Sequence, residues 1–175
     1  IDYEELFQDA RSNRYSVNAG FLSEDEYQYI RDALSETRDK VRNEQYYQTY
    51  SHLICLILGF RLGLRASEIL ALKVLDYKYC KNGSHLLIRT SNGRELKNSN
   101  AKRSFVLQHF LDDNELKILD DWDEAQHKGK IILNPDRYFI AIDGNFNQVA
   151  SRYNSIDKLM NLVREATGYE DIKFH

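Results

Sequence analysis

The sequence places one arginine in a setting suited to binding a phosphate. Arg65 follows Gly63 at the end of a long apolar stretch and directly precedes an amphipathic segment. A guanidinium is planar and permanently charged, so it can donate two hydrogen bonds to the oxygens of one phosphate. Glu68, three residues further on, could hold Arg65 through an ion pair. From this spacing alone, the simpler interpretation that Arg65 and Glu68 only stabilise the turn is favoured.

The charged residues of the chain are separated along the sequence. The formal net charge of −3 does not by itself favour a nucleic-acid-binding protein. Between Tyr77 and Phe105, however, one acidic residue, Glu95, stands against seven basic ones: Lys78, Lys81, Arg89, Arg94, Lys97, Lys102 and Arg103. Between Asp112 and Glu124 the balance reverses, with seven acidic residues and a single lysine. This distribution could present one basic face to phosphates, although two solvated surface patches explain it equally well.

The first part of the chain has the periodicity of two helices. Ser23 and Glu26 form a capping box that starts a helix reaching the Glu44 region. A second helix, over about 44–62, is apolar on nearly all sides and is therefore predicted to be buried. Gly63 fits the left-handed position that ends such a helix.

The remainder of the chain predicts short helices and a small sheet. The expected elements are a helix over 66–73, strands over 77–80, 85–90 and 104–107, a helix from Asp112 or Asp113 to His127, and a last helix over 148–166 that stops at Gly168. Trp122 is expected to anchor its helix to the core. The predicted fold class is α+β, mainly helical, with a small three-stranded antiparallel sheet.

The segment around Arg65 resembles a known motif. The run Gly63-Leu64-Arg65-Ala66-Ser67-Glu68-Ile69-Leu70-Ala71-Leu72, followed by Asp76, closely resembles the first arginine box of tyrosine recombinases, the phage integrase family. The resemblance implies that Arg65 contacts the scissile phosphate. It also implies that Glu68 belongs to the helix that supports this arginine.

A second stretch, over 95–107, resembles the hairpin that carries the catalytic lysine of this family. Lys97 is the best match to that lysine, which would donate a proton to the leaving 5′ oxygen of DNA. Lys102 and Arg103 match the basic pair that follows, and together with Arg94 they are expected to contact the DNA backbone. A solvated loop lysine is the simpler interpretation of Lys97.

The last residues, over 168–175, resemble the approach to the His-x-x-Arg box of the same family. His175 matches its histidine, which would help to position the nucleophile or accept its proton. The second arginine, a later His or Trp and the nucleophilic tyrosine would then follow His175. Residues 23–175 are thus expected to be a partial catalytic domain, and 1–22 a linker from an N-terminal DNA-binding domain.

The resemblance implies site-specific DNA recombination and integration in the intact parent protein. A tyrosine would attack one strand and form a 3′-phosphotyrosine, a reaction that requires no metal or cofactor. The implied partners are a double-stranded recombination site and further recombinase protomers in a tetrameric synapse. The chain alone is expected to be catalytically inactive and to bind DNA weakly.

Three alternatives remain open. A type IB topoisomerase or telomere resolvase shares the same chemistry and similar motifs. A catalytically silent DNA-binding or regulatory relative would have the same fold without a nucleophile. A helical protein-interaction domain with a chance match around Arg65 is the third.

Other features of the sequence narrow the setting. The longest apolar run, over 53–59, is too short to span a membrane, and no signal segment is recognised at the start. Cys55 and Cys80 lack metal-ligand spacing and are expected to be reduced thiols. No metal site is expected from the acidic run over 120–123, since consecutive helix positions point in different directions. The expected location is the cytoplasm of a bacterial or phage-infected cell, in association with the nucleoid.

Overall fold

The structure is a computed structural model that describes residues 21–80, 82–88, 103–128, 137–141 and 152–174, the last of these with side chains from Ile156 onward. Its helices are α1 (Glu24–Lys40), α2 (Asn43–Leu62), α3 (Ala66–Ala71), α4 (Asp113–Lys128) and α5 (Arg152–Thr167). Its strands are β1 (Tyr77–Cys80), β2 (Gly83–Ile88) and β3 (Arg103–Val106), and short 3₁₀ helices cover Val74–Asp76 and Leu107–His109. The chain forms two compact units, one of Ile1–Ala66 with Ala141–His175 and one of Ser67–Ile140.

Helix α1 begins at the predicted capping box and ends earlier than predicted. The Glu26 amide donates to the Ser23 hydroxyl at 3.2 Å, and the Ser23 amide donates to the Glu26 carboxylate at 2.9 Å. The sequence predicted one helix to about Glu44, but Val41 and Arg42 are extended and α2 starts at Asn43. The Arg42 guanidinium donates to the carbonyls of Asp39 and Val41, which satisfies backbone acceptors left open where α1 ends.

Helix α2 is the buried helix of the first unit, as its all-round apolar character predicted. Every residue from Thr49 to Leu58 is buried, and α2 packs against both α1 and α5. The Ser51 hydroxyl donates to the Ala141 carbonyl at 2.9 Å and accepts from its amide at 3.0 Å. This pair of hydrogen bonds fixes the point where the chain re-enters the first unit.

The last helix, α5, contributes an apolar stripe to the same core. Ile156, Leu159 and Val163 are buried as predicted, whereas Leu162 is only half-buried. Its predicted first turn, over 148–151, lies outside the described residues. The helix ends at Thr167, and Gly168 has the left-handed φ of 68° expected of a helix stop.

The second unit contains the predicted three-stranded antiparallel sheet in the order β1-β2-β3. Tyr77 pairs with Leu86 across the first two strands, and Ile88 pairs with Arg103 across the second two. Strand β3 starts one residue earlier than predicted, at Arg103, and ends one residue earlier, at Val106, because Leu107 belongs to the 3₁₀ turn that follows. For β2, the predicted residues 89–90 lie outside the described residues.

Helix α3 is shorter than the predicted 66–73. It ends at Ala71, and Lys73 instead forms a β-bridge with Tyr138. The Lys73 amide donates to the Asp76 carboxylate at 2.8 Å. The backbone of Lys73 thus pairs with Tyr138 and Asp76 and does not continue the helix.

Helix α4 is anchored as the sequence predicted. Asp112 and Glu115 bond reciprocally to each other's amides, at 2.8 and 3.0 Å, and so cap its first turn. Trp122 is 1% exposed, and its indole N–H donates to the Phe139 carbonyl at 2.8 Å. Within the part of the chain described, no helix combines the length and apolar character needed to cross a membrane.

Candidate functional site

Arg65 lies at a sharply defined turn between two helices. Gly63 closes α2 in the left-handed conformation, with φ 62°, and its amide donates to the Gly59 carbonyl at 3.1 Å. Leu64 is then buried at 1% exposure, while Arg65 is exposed. Because the neighbouring Leu64 is packed in the core, the turn presents Arg65 at the surface on a fixed backbone. This is a setting in which a guanidinium can receive an anion.

The turn before Arg65 and the segment before His175 line one cavity in the first unit. Gly63 and Leu64 contribute from the turn, and Lys173 and Phe174 from the end of the chain. The cavity has a volume of about 260 Å³ and a mainly apolar lining, to which α2 and α5 contribute three residues each. The two outer elements of the recombinase-like pattern are therefore adjacent to the same space in the first unit.

The closeness of Phe174 to α2 depends on a glycine. A Cβ atom placed on Gly59 would lie 2.5 Å from Cζ of Phe174 and 2.9 Å from its Cε2. Such distances are far below van der Waals contact, so any side chain at this position would displace the Phe174 ring. Gly59 thus permits the approach of the chain that leads to His175.

In the second unit, Glu68 forms an ion pair with Arg103. Both carboxylate oxygens of Glu68 accept hydrogen bonds at 2.8 Å from Nη2 of Arg103. The Glu68 side chain is 8% exposed and that of Arg103 is 37% exposed. From the sequence, Arg65 was suggested as an ion-pair partner of Glu68. No feature of the sequence predicted that Arg103 is also a partner of Glu68. The two residues are 35 positions apart, beyond the reach of any helical or strand spacing.

Two further observations define the surroundings of Arg103. Its guanidinium carbon lies 5.5 Å from the centre of the Phe105 ring, which packs edge-on against Phe110. Its Nε atom is buried and has no hydrogen-bond partner among the described residues. Arg103 is thus held from two sides while part of its polar group is unsatisfied.

The remaining predicted site residues lie outside the described part of the chain. These are Arg94, Lys97, Lys102 and His175. What the structure does describe is the strand pair that flanks residues 89–102. Since β2 and β3 are antiparallel neighbours, Lys97 lies in sequence between two paired strands, as the hairpin interpretation requires.

Acidic residues of the run over 120–123 on α4 form hydrogen bonds within the second unit. Asp120 accepts hydrogen bonds from the hydroxyls of Tyr77 and Ser84, the latter at 2.7 Å. Burial, together with the bond to the Asp120 carboxylate, raises the pKa of the Tyr77 phenol far above its usual range, so this hydroxyl stays a donor. Asp120 therefore ties β1 and β2 to α4.

Asp123 forms a second contact on the same helix. Its carboxylate lies 3.1 Å from Nε2 of His127, one helical turn away. Burial raises the pKa of Asp123 above its ordinary value, and the nearby His127 opposes this effect. Among the described residues, no group of three or more His, Cys, Asp or Glu side chains is placed to hold a metal ion.

The two cysteines differ in exposure, and both are free thiols. Cys80 is exposed on β1, whereas Cys55 is buried in α2. Burial raises the pKa of the Cys55 thiol to about 12. Among the described residues, neither cysteine belongs to a group that could hold a metal ion.

Comparison with known proteins returns nothing: no protein-family model, no curated protein and no solved structure matches this chain.

Proposed function

We propose that this chain is part of the catalytic domain of a tyrosine-recombinase-type enzyme, which performs site-specific DNA recombination and integration. The observation that carries the proposal is the shared cavity of the first unit. The turn that presents Arg65 and the segment that leads to His175 both line it, although they are distant in sequence. A recombinase of this type needs its first arginine and its histidine at one phosphate, so their supporting segments must converge.

In this proposal Arg65 stabilises the charge that develops on the scissile phosphate. Its exposure on a turn fixed by Gly63 and the buried Leu64 suits that role, because preorganised donors stabilise a transition state most effectively. Lys97 would protonate the leaving 5′ oxygen and His175 would assist the nucleophile. Arg94, Lys102 and Arg103 would contact the DNA backbone.

The partners and setting follow from this chemistry. The substrate is double-stranded DNA carrying a recombination site, and further protomers complete a tetrameric synapse. The covalent phosphotyrosine conserves the energy of the phosphodiester bond, so strand rejoining needs no ATP and no metal. The proposed location is the cytoplasm of a bacterial or phage-infected cell, where such DNA is found.

The first test is the salt dependence of DNA binding. Fluorescence anisotropy with a labelled duplex is expected to give weak affinity that falls steeply as salt is raised, because phosphate contacts release counterions. Arg65→Gln should weaken binding and reduce the log–log salt slope by about 0.9, the value of one phosphate contact. Lys117→Gln, which removes a positive charge that is 71% exposed on the acidic helix, serves as the control and should leave the slope unchanged. Affinity independent of salt would contradict the proposal.

A second test separates the enzyme from a catalytically silent DNA-binding relative. With a nicked suicide substrate, the 175-residue chain should form no covalent adduct, since the proposed nucleophile follows His175. A protein carrying this chain with its downstream tyrosine should form a 3′-phosphotyrosine adduct, and Arg65→Gln should abolish it. DNA binding by the longer protein without any adduct would favour the silent relative.

A further inference from the structure

The Glu68–Arg103 pair uses only part of the arginine. An arginine has five N–H donors, and of the donor atoms of Arg103 only Nη2 bonds to Glu68, through both carboxylate oxygens. Nε is buried without a partner in the described part of the chain, and the structure gives Nη1 no acceptor among the same residues. Nε is enclosed, so the donor left for a ligand is Nη1, which is not among the buried atoms of this side chain, 37% of which is exposed.

The carboxylate that holds Arg103 is itself shielded from solvent. The Glu68 side chain is 8% exposed and projects from α3, the helix that follows Arg65. A flexible arginine loses side-chain rotamer entropy when it is fixed in one orientation. Here Glu68 and the Phe105 ring, whose centre is 5.5 Å from the guanidinium carbon, preorganise Arg103 before a ligand binds.

Arg103 lies at one end of the antiparallel pair formed by β2 and β3. Arg103 is the first residue of β3 and pairs with Ile88, the last residue of β2. It therefore stands at one end of the strand pair. An arginine held there is suited to contact a DNA phosphate.

We propose that Glu68 is a positioning residue that holds Arg103 in the orientation in which it contacts a DNA phosphate. The inference rests on the DNA-binding function proposed above. It assigns Glu68 a role through Arg103 in the second unit, in addition to its membership of the Arg65 motif. It also predicts that removing the negative charge of Glu68 weakens DNA binding, whereas net charge alone predicts that it tightens binding.

The test compares two variants that each remove one negative charge. Glu68→Gln leaves the side-chain shape nearly unchanged, and Asp121→Asn neutralises a carboxylate on α4 that is 50% exposed. If charge alone mattered, both would tighten binding to a labelled duplex. If Glu68 positions Arg103, Glu68→Gln instead weakens binding by about fivefold to tenfold, the size of one ordinary hydrogen bond, while Asp121→Asn tightens it slightly.

Two further variants keep the test decisive. Arg103→Gln should weaken binding and lower the salt slope by about 0.9, and the double variant Glu68→Gln/Arg103→Gln should bind no more weakly than Arg103→Gln. If Glu68→Gln does not fold, as judged by Trp122 fluorescence, Glu68→Asp replaces it. That variant keeps the charge but shortens the side chain. A positioning role therefore predicts weaker DNA binding, whereas an effect of charge alone predicts no change in DNA binding.

The outcomes distinguish the two proposals. Salt-dependent binding by the unaltered chain, with Glu68→Gln binding as tightly as Asp121→Asn, overturns the positioning role and leaves the proposed function standing. Unchanged binding by Arg103→Gln also overturns it. Absence of salt-dependent binding by the unaltered chain overturns the proposed function itself.

Discussion

At the scale of single residues, the described site groups fall into two kinds. Arg65 is exposed on a fixed turn, so its charge can be directed at a ligand. Glu68 and Asp123 are largely buried carboxylates that contact the basic side chains of Arg103 and His127 respectively. Buried charges without partners are strongly destabilising, which explains why each carboxylate has a basic partner.

Asp123 gives a prediction about pH. Its raised folded-state pKa means that the folded protein binds the proton more tightly than the unfolded chain. This contribution to stability is therefore present at low pH and is lost as pH rises through the folded-state pKa. An asparagine at position 123 cannot ionise, so the free energy of unfolding of Asp123→Asn should match that of the unaltered protein at about pH 3 and exceed it at about pH 6.

The measurement is urea unfolding monitored by fluorescence of Trp122, the only tryptophan in the chain. Asp121→Asn, an exposed carboxylate on the same helix, controls for the general loss of one negative charge. If Asp123→Asn were less stable than the unaltered protein at neutral pH, the ion pair with His127 would outweigh the effect of burial.

At the scale of secondary-structure elements, Asp120 links the sheet of the second unit to α4. Tyr77 on β1 and Ser84 on β2 both donate to this one carboxylate. The Tyr77 ring also stacks on Phe139 at a centroid distance of 5.4 Å. The Asp120 carboxylate thus joins the sheet to α4 by two hydrogen bonds, beside the packed rings of Tyr77 and Phe139.

Tyr77→Phe should destabilise the second unit by about 1.5–3 kcal/mol, the usual value of a hydrogen bond to a charged group. The ring packing is retained, so the loss isolates the hydroxyl. Tyr79→Phe on the same strand is the matched control, because Tyr79 is 73% exposed and should tolerate the change. Urea titrations followed by Trp122 fluorescence measure both. Equal stability of the two variants would show that the Tyr77–Asp120 bond contributes nothing net.

At the scale of the whole molecule, the chain is built from two compact units, and the first is assembled from both ends of the described sequence. Helices α1 and α2 come from its beginning and α5 from its end. Ser51 and Gly59 on α2 receive the returning chain, at Ala141 and Phe174 respectively. The first unit thus depends on contacts between segments far apart in sequence.

Gly59 and Gly63 should respond differently to alanine, although both lie at the end of α2. Gly59→Ala collides with the Phe174 ring and should lower the melting temperature. In a Phe174→Ala background the same change should instead stabilise the protein by up to about 1 kcal/mol, the helix-propensity gain of alanine. Gly63→Ala meets no atom within 4 Å but adopts a φ of 62°, so its cost of about 1–2 kcal/mol should persist in both backgrounds.

Thermal unfolding by circular dichroism of the four variants and two backgrounds provides the comparison. A Gly59→Ala penalty that is equal with and without the Phe174 ring would exclude the proposed collision. A Gly63→Ala penalty that disappears with Phe174→Ala would show that packing, and not backbone conformation, requires this glycine.

The sequence by itself determined the local features of this protein. The capping box of Ser23 and Glu26, the left-handed Gly63, the strand Tyr77–Cys80 and the burial of Trp122 were all predicted and are confirmed. Each depends on residues within a few positions of one another or on apolar periodicity. Such interactions are encoded in short windows of sequence and can be recognised there.

Only the tertiary structure decided which distant groups meet. The pairing of Glu68 with Arg103 joins residues 35 positions apart, and that of Tyr77 with Asp120 joins residues 43 positions apart. The shared cavity of Gly63 and Phe174 spans a longer separation still. These contacts arise from the packing of whole elements against each other, and a carboxylate in the sequence carries no mark of which distant donor that packing will bring to it.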